Sequence, residues 1–178
     1  MICAHRRLPY PVAVPTDIME QGKMAHMKQI KRLQNNTQAI LENTLQAEID
    51  AVSAHAHRLY NAGDSQSYLE FHERAWSMYP EPRNNWNEAY NTAKYAVDDC
   101  FSALNMKNAK TWLDRMAYVN DQLHQRDEEL MHYTGKYKYE MGDYDAAFTA
   151  FDKVIKMAGK RYFEDEPSKY LNFYIGRT

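Results

Sequence analysis

The chain has 178 residues, 44% hydrophobic and 26% charged, enough for one domain with a continuous core. A formal net charge of −2 excludes a protein built to neutralise phosphates, so no nucleic-acid partner is expected. No run of about 18 apolar residues is present to span a membrane, and the apolar stretch 8–14 is too short and proline-broken for a secretory core.

Residues 1–18 show neither helical nor strand periodicity, and Pro9, Pro11 and Pro15 favour extended backbone. They read either as a disordered tail or, because Met19, Met24 and Met27 stand where a helical pattern begins, as a start-site artefact. Residues 19–178 then form a single helical-repeat domain. From Ile30 to Val52 apolar residues recur at three- and four-residue steps, predicting a helix over 29–61. Gly63 and Asp64 supply a stop and the next start. A second helix is expected over 67–78, ended by Pro80 and Pro82. A third, over 85–104, keeps Trp86, Ala89, Ala93, Val97, Cys100 and Phe101 on one face. Asn105 to Lys107 breaks it, and Ala109, Trp112, Leu113 and Met116 continue as its partner. Helices over 128–141 and 144–157 flank Gly142, and Pro167 leads a short helix over 167–174. The fold class is therefore all-α, in antiparallel helix pairs.

The breaks near Gly63, Asn105 and Gly142 recur at roughly forty residues, within the range of helical solenoids. In the third pair Gly135, Ala147 and Phe151 stand at the eighth, twentieth and twenty-fourth places from Glu128. Ala56, Ala75 and Pro80 take comparable places in the first pair, and Ala109 and Leu113 in the second, where Val97 replaces a small residue. Small residues let two antiparallel helices approach, and Phe151 fills the gap. This pattern resembles the tetratricopeptide repeat family over about residues 48–159, most clearly in the third pair; an irregular helix bundle is the alternative.

The resemblance implies a right-handed superhelix of about three repeats, whose first helices line a groove that binds a protein or peptide. Aligned on the family, the groove positions are Asp50, Ser53, His57 and Tyr60 in the first repeat, and Asn91, Lys94 and Asp98 in the second. Glu129, His132, Lys136 and Tyr139 complete the set in the third. Tyr-rich polar surfaces suit protein recognition, although a solvated helix face has similar polarity. Charge adds to this reading. Six basic residues against Asp17 and Glu20 give residues 1–32 a local +4, leaving −6 on residues 33–178. An acidic body steers basic partners toward it.

Catalytic and metal sites are not expected. His55 and His57 point to different helix faces, and Glu129 with His132 is a lone Glu-x-x-His without the second copy a carboxylate-bridged metal bundle needs. Cys100 sits in an apolar stripe, as a core thiol does, and Asp98 and Asp99 diverge around their helix. No phosphate-binding Gly-rich loop or nucleophile elbow occurs, so no cofactor, metal or enzyme activity is expected. Cys3 and Cys100 make no disulfide framework, which fits a reducing cytosol, and a cytoplasmic location is expected. Similarity to small bacterial repeat proteins implies a toxin-neutralising immunity protein, with a secretion chaperone or adaptor that binds an extended peptide as the alternative. Oligomeric state has no signature in the sequence.

Overall fold

The computed structural model describes residues 41–64, 67–124 and 127–178, all within one compact unit. The expected tail 1–18, the domain start at residue 19, Cys3 and the first part of the expected helix, 29–40, lie outside the described residues. Seven α-helices follow one another among those described, with no strand between them. They are α1 (Asn43–Asn61), α2 (Ser67–Met78), α3 (Asn87–Ser102), α4 (Met106–Val119), α5 (Asp127–Glu140), α6 (Tyr144–Ala158) and α7 (Lys169–Ile175). Helices α1 and α2, α3 and α4, and α5 and α6 form antiparallel pairs, and α7 packs on α6.

The three turns within the pairs share one construction. Each helix ends with a residue at positive φ: Gly63 at 80°, Leu104 at 54° and Gly142 at 77°. The N–H of that residue donates to the carbonyl three residues back, from Gly63 to Tyr60, Leu104 to Phe101 and Gly142 to Tyr139. The next N–H reaches five residues back, from Asp64 to Leu59, Asn105 to Cys100 and Asp143 to Lys138. This double bond closes the otherwise unpaired carbonyls of the last turn. The same Asp64, Asn105 and Asp143 then cap the following helix, each side-chain oxygen accepting from the N–H three residues on at 3.0, 3.3 and 3.4 Å. The break expected near Asn105 is thus a turn in which Asn105 ends one helix and caps the next; the left-handed position before it is held by a leucine.

Packing follows the apolar stripes. Ile49, Ala56, Tyr68, Ala75, Ala89, Ala93, Val97, Cys100, Trp112 and Met116 are buried in a core built from α1 to α5. A second cluster joins Ala147, Phe151 and Val154 to Phe163 and Tyr170 of the C-terminal segment. Gly135 explains how closely α5 and α6 meet: a Cβ there would lie 2.5 Å from Phe151 Cε1, so the aromatic ring occupies the space a side chain would need. Cys100 is fully buried, and desolvation lifts its thiol to about 12, which fits the core role expected for it.

Three boundaries differ from expectation. The helix expected over 29–61 does not run through, because Leu41 and Glu42 are non-helical and Glu42 is extended at ψ 137°; α1 starts at Asn43. Trp86 does not open α3 but closes the link before it, its indole N–H donating to the Pro80 carbonyl at 2.6 Å. The last helix starts at Lys169, after Pro167 rather than on it.

Candidate groove between the first helices

The first helices of the three pairs lie side by side. His57 Nδ1 on α1 is 3.3 Å from Asp99 Oδ1 on α3, and Lys94 on α3 donates to Glu129 on α5 at 3.1 Å. Asp99, almost fully buried, spends its second oxygen on His72 Nε2 of α2 at 2.8 Å. One carboxylate therefore ties α1, α2 and α3 and fixes the His57 ring. Asp98 leaves the opposite side of α3, accepting from the Tyr133 hydroxyl at 2.9 Å, as expected from the divergence of adjacent residues.

Between α1 and α3 lies a groove of about 690 Å³. Four of the expected residues line it: Asp50, Ser53, His57 and Asn91. Sequence reasoning missed Gln46, Tyr79, Glu88, Thr92 and Tyr95, which line it too. Gln46 and Glu88 sit one helical turn before Asp50 and Asn91, and Tyr95 one turn after Asn91, so extending the chosen faces by a turn finds them. Tyr79 and Thr92 bond to each other at 2.9 Å, and burial pushes the Tyr79 hydroxyl up to about 12. Gln46 donates its amide to Asp50 at 2.7 Å. Tyr60 is half-buried beside this region, edge-on to Tyr68 with ring centroids 5.6 Å apart.

The third-repeat residues are placed differently from expectation. Glu129, His132 and Lys136 are buried rather than open to a partner. The chain's own C-terminal segment covers His132 and Lys136, while Glu129 is held against Lys94 of α3. Phe163 packs edge-on to His132 at 4.6 Å, and Tyr170 and Phe173 close over Tyr139 at 5.4 and 5.1 Å. Lys136 Nζ is 2.6 Å from Glu166 and 3.6 Å from Asp98, and lies over the Tyr133 ring at 4.6 Å. Such a buried ammonium needs both paired carboxylates and the ring faces to offset its desolvation. Burial raises the Asp98 carboxyl above its ordinary value against the opposing pull of Lys136 and Tyr133. Burial also acts to raise Glu166, yet His132 and Lys136 outweigh it and hold that carboxyl below its usual range. His132 is held below its ordinary value, chiefly by desolvation; its Nε2 is 3.6 Å from Glu166, too far for a hydrogen bond, so the residual attraction is electrostatic. Nothing in the sequence pattern announces Glu166 or Tyr170 as partners, because they lie beyond the repeat.

Among the described residues no group of three or more His, Cys, Asp or Glu is placed to hold a metal ion, and no helix is long and apolar enough to cross a membrane. Comparison with protein-family models, curated proteins and solved structures returns no match.

Proposed function

We propose that this chain is a non-enzymatic protein-binding module that grips one protein partner by that partner's basic surface, and that its task is to neutralise a toxin or effector by direct binding. The convergence of Asp50, Ser53, His57 and Asn91 on one open groove carries this reading. Two carboxylates, Asp50 and Glu88, line that groove without any Lys or Arg among the described lining residues, so its field attracts cations. The acidic balance of residues 33–178 acts in the same direction. The tetratricopeptide-like arrangement is part of the proposal: it is supported by the shared turn construction at Gly63, Leu104 and Gly142 and by the Gly135 and Phe151 contact. In that arrangement the third-repeat face is closed by the chain's own C-terminal segment, leaving the α1–α3 groove as the binding surface.

Co-expression with toxins encoded beside this gene tests the proposal. The expected result is restored growth together with a stable one-to-one complex, with an association rate that falls as salt is raised. Failure to bind any neighbouring toxin overturns the neutralising role. Modest binding of an extended peptide, without rescue, would assign a chaperone role instead.

A further inference from the structure

The α1–α3 groove has an uneven inventory of hydrogen-bonding groups. Gln46 spends its amide nitrogen on Asp50, and its Oε1 has no partner. Ser53 Oγ and Glu88 Oε2 have no partner either, and all three atoms are shielded from solvent. The Gln46 carbonyl oxygen and the Glu88 carboxylate oxygen only accept, while the Ser53, Thr92 and tyrosine hydroxyls and the Asn91 amide of the lining can donate as well, so what Gln46 and Glu88 leave over is accepting capacity. An entrant that brings N–H groups complements this surplus of accepting oxygens. It must also bring positive charge, because Asp50 and Glu88 line the groove with no Lys or Arg among the described lining residues to balance them.

We infer that this groove takes the guanidinium group of an arginine carried on a protein partner; the inference rests on the binding-module reading above and names the group that module recognises. Gln46, Asp50 and Ser53 lie along α1 while Glu88 lies on α3, so the acceptors come from two helices. A planar fork with five donors and no acceptor suits separated acceptors better than the compact ammonium of lysine does. Tyr95, 54% exposed among the lining residues, offers a ring on which the guanidinium plane can stack. The volume, about 690 Å³, exceeds what one side chain fills and lies within the range that holds drug-sized ligands, roughly 300–1,000 Å³. Asp50, Ala54, His57 and Tyr95 are exposed, so the groove admits an arginine together with flanking peptide.

Amide-resolved NMR titration of the intact protein tests this with four probes: the blocked peptide Gly-Gly-Arg-Gly-Gly, the same peptide with lysine, the same with citrulline, and methylguanidinium. The arginine peptide should shift residues of α1 and α3 and bind about tenfold more tightly than the neutral citrulline peptide, as charge-assisted bonds require. It should also bind more tightly than the lysine peptide or methylguanidinium. Glu88→Gln and, separately, Asp50→Asn should each weaken it about tenfold with thermal melting unchanged. Equal binding of citrulline or lysine, methylguanidinium binding as tightly as the peptide, shifts confined to other helices, or no shift up to millimolar probe would each overturn the inference. If the probes fail while a captured partner still crosslinks to α1 and α3, the arginine pocket falls and the binding module stands.

Discussion

Gly135 and Phe151 form one packing unit, since the missing Cβ of the glycine is the space the ring fills. Gly135→Ala should therefore destabilise the protein by about 1–3 kcal/mol, as overpacking does. Adding Phe151→Leu should return part of that loss, and chemical denaturation of the two variants checks it. Additive losses would show that the two residues do not share the space. His132 carries a pH dependence. Its folded value lies below the ordinary 6.5, so the unfolded chain takes the proton first and stability falls as pH drops from about 6.5 through the folded value. Glu166 adds a second loss at lower pH: its stabilisation is complete above its ordinary value of 4.5 and disappears as pH falls through the depressed folded value. Asp98 works in the other direction, recovering some stability as pH falls through its raised value toward 3.8. His132→Phe, in a nest already made by Phe151, Tyr162 and Phe163, should flatten the decline between about pH 6.5 and 5.5. Denaturation midpoints at the two ends of that window measure it, and an equal decline in wild type and variant would contradict the assignment.

The helix pairs show why some of the fold is readable from sequence and some is not. Gly63 with Asp64 and Gly142 with Asp143 declare their turns openly, and both helices around each were expected. Leu104 with Asn105 builds the same turn with a leucine at φ 54°, and its break was expected too; the middle pair looks weakest in sequence because Val97 stands where a small residue is expected, yet Val97 is fully buried in the core. Because Leu104 is 71% exposed and its side chain anchors little, Leu104→Gly should relieve the left-handed strain and stabilise the protein by about 0.5–1 kcal/mol. A rise in melting temperature confirms the shared turn; a fall would mean the leucine packs usefully. The candidate groove was half legible for a similar reason. Asp50, Ser53, His57 and Asn91 follow from helical register, whereas the cover over His132 and Lys136 comes from a segment with no repeat pattern. Polarity at a helix face tells which residues avoid apolar packing, not whether a distant part of the chain supplies their partners. Lys136 reads as a solvated cation in sequence and is buried between Asp98 and Glu166 in the fold.

At the scale of the molecule, the two ends of the described unit behave differently. Its third pair is closed by aromatic residues and ion pairs from the C-terminal segment: Tyr170 donates to Glu140 at 2.7 Å, Tyr174 to Asp152 at 3.2 Å and Arg177 to Asp145 at 2.8 Å. Its first two pairs leave an acidic groove between α1 and α3, held in shape by the Asp99 tie to His57 and His72. A binding surface at one end and a finished end at the other suit a module that occupies a single partner. Quantitative capture from the cells that make the protein tests this most directly, using wild type, the groove variant Asp50→Asn/Glu88→Gln and a control, Lys153→Ala, on the exposed side of α6. One protein with a basic surface should co-purify at equal stoichiometry with wild type and control, and be lost from the groove variant. A partner that the groove variant retains as fully as wild type would contradict a binding role for the α1–α3 groove.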